Sequence, residues 1–334
     1  MTGFRGPLLE KLTDVFVLHE VEPHVIGTDI LRFLTHELSA LAHGGRKGWP
    51  TDEQLDSLCR RAAGFFVYAV ATVNFLKHTF KRPSDRLDII MKSPESTVHE
   101  GKVELKVHTS LDTLYASIFR EAFCKNNVED DAMVRSVLSA VVLVANPLSP
   151  SAIADLMGFE PEEVLQLLES IQSLLALSDV NNLVHPFHKS FPDFITDPAR
   201  CGDQRFYISL DYHTELALCC LDRMGHLEKN MFSIPDYALN SEVKDLQKKI
   251  ESKLRGAMEY SCRSWHKHLI VTMHRTEDVV SALRSFLEEK FVFWLEVLSV
   301  LGAVGEAARA LNMTIKWLNE VCPDRQLDYS GSRY

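Results

Sequence analysis

The stretch that decides the fold runs from Asp130 to Ile195 and reads DDAMVRSVLSAVVLVANPLSPSAIADLMGFEPEEVLQLLESIQSLLALSDVNNLVHPFHKSFPDFI. Its first part, Met133–Ala145, is an apolar helix. Asn146-Pro147-Leu148-Ser149-Pro150 is a turn ending on a helix start: Ser149 caps, and Pro150 takes the first position, where an N–H would have no partner anyway. Ile153, Leu156 and Met157 mark a short second helix, stopped at Gly158. Pro161 opens a third, with Glu162 and Glu163 in its first turn, where the helix dipole favours acids. Val164, Leu167, Leu168, Ile171, Leu174 and Leu175 follow at helical spacing. Two short apolar runs, Ala176–Asp179 and Leu183–Phe187, flank the turn Val180-Asn181-Asn182 and predict a hairpin. Three helices followed by a two-stranded hairpin is the element order of a winged helix.

Many such modules read DNA by laying the third helix in the major groove. Here that helix, Pro161 to Leu175, has no Lys or Arg and carries Glu162, Glu163 and Glu169. It would repel the phosphate backbone, so a DNA-binding regulator is disfavoured and a protein-packing module favoured.

Outward from this stretch the pattern stays helical. Towards the N-terminus, Val15–Leu18 reads as one strand, and Asp29 caps a helix with Ile30, Phe33, Leu34, Leu38 and Leu41 in its stripe. Thr51 starts a further helix, Gly64 ends or interrupts it, and Phe65–Phe80 is apolar nearly all round, as buried helices are. Lys81–Lys106 is polar and reads as a linker; Leu111, Leu114, Tyr115, Ile118, Phe119 and Phe123 then form another stripe. Towards the C-terminus, Asp211–Met224 is a helix with Cys219 and Cys220 in its apolar run. Asn240 or Ser241 caps a helix with Val243, Leu246, Ile250 and Leu254 inward, and Val279–Val300 and Ala303–Val321 complete the chain, the second with Leu311, Ile315 and Leu318 inward. The expected fold is mainly α: a helical bundle, a winged-helix module with a small β-hairpin, then a C-terminal helical domain.

Composition narrows the function. The 334 residues are 46% hydrophobic with a formal charge of −10, which argues against nonspecific binding to nucleic acid or anionic membranes. Seven scattered cysteines, an odd number with no CxxC and no signal peptide, read as reduced thiols of a cytoplasmic protein. No apolar run approaches the roughly 20 residues of a membrane helix. The phosphate-binding G-x-x-x-x-G-K-[ST] is missing, and Gly44-Gly45-Arg46-Lys47-Gly48 reads as a loop. No G-x-G-x-x-G or G-x-S-x-G occurs. In the run from His36-Glu37, Ala40 stands where a zinc protease needs its second His. Cys262, His266, His268 and His274 lie close in sequence, but no second Cys or carboxylate completes a tetrahedral set. Histidines on the wet side of a helix, beside a buried Trp265, are expected there; no metal and no catalytic residue is assigned.

A resemblance is carried by particular residues. Leu18-His19-Glu20-Val21, Asp29-Ile30, Phe33-Leu34, Trp49-Pro50 and Ala63-Gly64-Phe65-Phe66-Val67-Tyr68-Ala69 come first. Leu111-Asp112-Thr113-Leu114-Tyr115, Leu138–Gly158 and His185-Pro186-Phe187-His188-Lys189-Ser190-Phe191-Pro192-Asp193-Phe194 follow in order. Tyr212-His213, Cys220-Leu221, Tyr260-Ser261-Cys262, Trp265, His268-Leu269 and Phe293–Ser299 extend the match to nearly the whole chain. Together they resemble NACHT-type, NLR-like signal-transduction NTPases of fungi, most like the basidiomycete members, in the portion after the phosphate-binding core.

The resemblance implies a division: residues 1–48 the end of the NTPase core, 49–107 a helical lid bundle and linker, 108–197 the winged helix, 198–325 a C-terminal helical domain and 326–334 a tail. It implies a chain that starts after both phosphate-binding motifs, a truncated product or a degenerate paralogue. Such a chain is a non-catalytic regulatory or interaction fragment. Its partners are proteins or the missing domains of the same family, without nucleic acid, membrane or metal. It holds ATP or ADP only if a P-loop core is supplied. The alternative is a nucleotide-responsive switch that needs such a core in trans. By resemblance, His188 matches the winged-helix His that touches the ADP β-phosphate, and Gly64 and Phe65 match the turn that packs on adenine, with Phe66 where relatives often have Pro. A His188 capping local backbone is the plainer reading of that residue. Phe187, Phe191 and Phe194 are expected to anchor the segment, leaving His188 and Lys189 outward.

Overall fold

The computed structural model describes residues 23–42, 48–77, 82–93, 103–124, 131–178, 182–235, 237, 239–254, 256–273 and 276–321. The described chain is mainly helical, with a two-stranded antiparallel sheet. It divides into two compact units, residues 1–128 with 171–174, and residues 129–170 with 175–334. The expected strand at Val15–Leu18 lies outside the described residues, as do most of the Gly44–Gly48 loop and residues 326–334.

In the first unit, α1 (Pro23–Leu41) packs on α2 (Asp52–Ala62) and α3 (Phe66–Lys77). Asp29 lies inside α1 and does not cap it. Pro23 needs no N–H partner at a helix start, so the helix already runs there. Thr51 caps α2 reciprocally: its hydroxyl accepts from the Gln54 N–H at 3.2 Å, and Gln54 Oε1 accepts from the Thr51 N–H at 3.0 Å. As its composition predicts, α3 is buried on most sides, through Tyr68, Ala69, Ala71, Thr72, Val73, Phe75 and Leu76.

The segment read as a linker instead contains α4 (Pro83–Lys92) and the start of α5 (Val103–Phe119). Leu87 and Ile90 of α4 are buried, and so is Arg86, whose guanidinium donates to the Phe75 carbonyl and lies 4.1 Å from the centre of the Phe75 ring. A cation serving as core residue hides this helix from a hydropathy reading. A π-helical turn, Arg120–Cys124, ends α5.

In the second unit, α6 (Asp131–Val142), α7 (Pro150–Met157) and α8 (Pro161–Ser170) precede β1 (Leu175–Leu177) and β2 (Val184–Pro186). Ser149 accepts from the Ala152 N–H at 3.2 Å, and Gly158 closes α7 at φ 76°, a left-handed position that suits a residue without a Cβ. Leu175 pairs with Pro186 and Leu177 with Val184. Leu148, in the turn before α7, adds a bridge to Val184. The third helix is shorter than its apolar spacing predicts: it ends at Ser170, and Ile171–Leu174 belong to the first unit, where the turn Gln172–Leu174 packs on α3. A leucine run continues a helical period and a strand period equally well, so periodicity alone misses this break.

The remaining helices are α9 (Ser190–Ile195), α10 (Pro198–Cys201), α11 (Tyr212–Met224), α12 (Leu246–Lys253), α13 (Gly256–Leu269), α14 (Thr276–Glu289), α15 (Phe291–Val300) and α16 (Val304–Val321). The densest packing joins α11 to α13. Trp265 of α13 sits edge-on to Trp294, with ring centres 6.0 Å apart, and 5.5 Å from Phe286. Three expectations change here. The predicted helix with Val243, Leu246, Ile250 and Leu254 inward is α12, which buries none of its own residues because LQKKIESK has too few apolar side chains for a stripe; Leu254, just past its end, is buried. The expected helix Val279–Val300 is two, α14 and α15, broken at Lys290, whose ammonium reaches the Leu227 carbonyl at 3.1 Å. In α16, Ala307, Ala310, Thr314 and Trp317 are buried, and Ile315 is exposed.

Candidate functional site

His188 sits between β2 and α9. Its Nδ1 accepts from the Ser190 N–H at 3.1 Å and lies 2.8 Å from Ser190 Oγ. The ring therefore caps the start of α9, the plainer of its two expected roles. An Nδ1 that accepts from a backbone amide carries no proton, which leaves the neutral ring protonated at Nε2. Partial burial and the adjacent Lys189 lower its pKa, against a smaller opposing pull from Asp193. His188 and Lys189 are exposed as expected, and Phe191 and Phe194 are buried. Phe187 is a correction: it is exposed rather than an anchor, because it follows β2 after Pro186 and faces away from the core.

Gly64 and Phe65 form the break between α2 and α3. Ala63 is left-handed at φ 48° and Gly64 at φ 85°. A Cβ on Gly64 would meet nothing within 4 Å, so its conformation, not crowding, calls for glycine. The Phe65 N–H donates to the Ala62 carbonyl at 2.8 Å. Phe65 and Phe66 are both exposed, and Phe66 lies 5.3 Å from the Phe33 ring. His188 belongs to the second unit and this turn to the first.

The cysteine–histidine cluster is reorganised. His274 lies outside the described residues. His266 and His268 are not on a wet helix side: they are 4% and 1% exposed. Burial pushes their pKa values down to about 4 and about 3, helped by neighbouring cations and, for His268, by His213. Among the described residues no group of three or more metal-ligating side chains comes together. Burial raises the thiol of Cys219 to about 11 and that of Cys262 to about 12, and pushes Cys220 up as well, so these are core thiols.

What the fold does assemble is a buried polar line. The Ala145 N–H donates to the Tyr260 hydroxyl at 3.1 Å; Tyr260 lies 2.6 Å from His268 Nε2; His268 Nδ1 lies 2.8 Å from His213 Nδ1. With Tyr260 donating to Nε2, the His268 proton rests on Nδ1 and points at an accepting His213, so every link is satisfied in one direction. Burial also raises the Tyr260 pKa, which keeps the phenol protonated. Tyr260, Ser264 and His268 are spaced by four and form a polar stripe on α13. That spacing was legible; the partner His213, 55 residues away, was not.

Beside this line is a cavity of about 430 Å³, bounded by the Asn146–Ser149 turn, Ala152, Leu183 and the α13 face from Gly256 to Ser264. No family model, no curated protein and no solved structure matches the chain. No helix among the described residues is long and apolar enough to cross a membrane.

Proposed function

We propose that the chain is a non-catalytic interaction module of a NACHT-type, NLR-like signalling NTPase, making contacts with protein partners or with the family's other domains. One observation carries the reading. On α8, the helix a DNA reader would insert, the solvent face holds Glu162, Glu163, Leu165, Gln166 and Glu169, with Val164, Leu167 and Leu168 buried beneath. A face of carboxylates around one exposed leucine suits a protein surface and repels phosphate. His188, tied to the start of α9, is consistent with a local structural role that needs no nucleotide. As an intracellular module of this kind it works in the cytoplasm, without metal or resident cofactor.

The test has three arms on the purified full chain. Labelled ATP with Mg²⁺ turns over only at background; duplex DNA at low salt shows no saturable binding; and the P-loop core of a NACHT-type NTPase forms a complex with it in sedimentation. Turnover abolished by a point mutation in this chain, a DNA affinity falling steeply with salt, or no complex with the core overturns the proposal.

A further inference from the structure

Helix α16 carries two apolar stripes, and among the described residues only one is covered. Ala307, Ala310, Thr314 and Trp317 are buried within the second unit. Beside them Val304, Ala308, Leu311, Ile315 and Leu318 recur at alternating spacings of four and three. Val304 and Ile315 are 51% and 55% exposed, Ala308 is exposed, and Leu311 and Leu318 are half-buried. Alternation of four and three is the apolar period of a helix that packs along a second helix. We infer that this stripe is the seam of a weak homodimer, in which α16 of one copy lies antiparallel against α16 of another.

Charge selects the partner. At about 3.6 residues per turn, Arg309, Lys316 and Glu320 fall on the far side of α16 from the stripe, and Asn312 and Asn319 border it. The helix therefore brings no charge to the seam with which to choose an acidic or a basic partner. The chain as a whole carries −10, so two copies approach most readily through a face without like charges. The exposed Leu165 of α8 offers no such face, because it stands among Glu162, Glu163 and Glu169.

Shape selects the orientation. The stripe is small towards its N-terminal end, where Ala308 follows Gly305 by three, and bulky towards its C-terminal end, with Ile315 and Leu318. Turned end for end about Leu311, a second copy sets Ala308 opposite Ile315 and Val304 opposite Leu318, so the smaller side chain meets the larger. A Cβ on Gly305 would meet nothing within 4 Å, which leaves space for a neighbour at that end. Parallel copies would set Ile315 against Ile315 and leave a gap between the alanines. The antiparallel arrangement has the two-fold symmetry commonest among soluble dimers, and it opposes the helix dipoles. From Val304 to Leu318 the seam is about 21 Å long. One helix face of that length falls short of the roughly 800 Å² per partner of a standard stable interface, so the dimer is reversible.

The experiment is sedimentation equilibrium of the purified full chain from low-micromolar to near-millimolar concentration. A monomer that passes reversibly to a dimer is expected, with a dissociation constant that added salt does not raise. Ala308→Lys and Ile315→Glu, both at exposed positions, each weaken the dimer at least tenfold. Their equimolar mixture regains a heterodimer, because Lys at 308 of one copy then faces Glu at 315 of the other, and salt weakens that heterodimer. Circular dichroism melts establish that each variant folds, and the one that folds decides the matter if the other does not. A monomer at every concentration, a dimer left unweakened by a folded variant, or a mixture of two folded variants no better associated than either alone would overturn the inference.

Discussion

Helices α8 and α13 differ in where they put their polar groups. On α8, every hydrophobic residue but Leu165 faces in and the acids face out, as transfer free energies dictate. On α13, Tyr260, Ser261, Ser264, His266 and His268 are all buried beside Trp265 and Leu269. Burying polar groups costs least where hydrogen bonds replace water, as they do for Ser261, Tyr260 and His268, whereas Ser264 Oγ and His266 Nδ1 have no partner among the described residues. Ser261 bonds the Ala257 carbonyl at 2.8 Å, and Tyr260 and His268 bond each other. The first helix obeys a pattern; the second obeys a network, and a network depends on residues that are far apart in sequence.

The largest test of this contrast is Trp265→Ala. It removes the centre of the Trp265, Phe286 and Trp294 cluster and is expected to cost about 3–5 kcal/mol, measured by urea unfolding. A loss below about 1 kcal/mol would mean that α13 is not the centre of its unit.

Acid is the next largest. An unfolded histidine titrates near 6.5, whereas His268 folded titrates at about 3. Between those values the unfolded chain binds the extra proton, so stability is full above roughly pH 6.5 and falls as pH drops towards the folded value. His268 alone removes about 2 kcal/mol by pH 5. Unfolding curves at pH 7.5 and 5 check this, and the drop should shrink in His268→Gln.

Tyr260→Phe comes third. It leaves the Ala145 N–H without its acceptor and His268 Nε2 without its partner, for an expected loss of between about 1 and 2 kcal/mol. On α8, by contrast, Glu163→Ala should change stability by less than about 0.5 kcal/mol, because the side chain is exposed. A larger effect there would erase the distinction between the two helices.

The same distinction explains what could be read from sequence. Ser149, Pro150, Gly158 and Pro161 act through local backbone geometry, so the helix starts and stops around them were legible. Arg86 was not, because its burial depends on the Phe75 carbonyl and ring rather than on hydropathy. The break after Ser170 was hidden because Ile171 and Leu174 continue the apolar period while the backbone changes type. His188 could be placed at a strand-to-helix junction, but its bond to Ser190 is a matter of rotamer. For His266 and His268, the side of the helix they occupy depends on α11, whose His213 meets His268 from 55 residues away, beyond any local window.

The aromatic cluster around Trp265 also sets how the molecule reports on itself optically. Of the four tryptophans, Trp265, Trp294 and Trp317 are buried in the second unit, and Trp49 belongs to the first. Two indoles packed edge to edge-face in a dry environment emit at short wavelength and lend each other rotational strength in the near ultraviolet. The native emission band and the near-ultraviolet dichroism are therefore dominated by one half of the chain. Loss of that signal dates the opening of the second unit, while the far-ultraviolet helical signal sums over both.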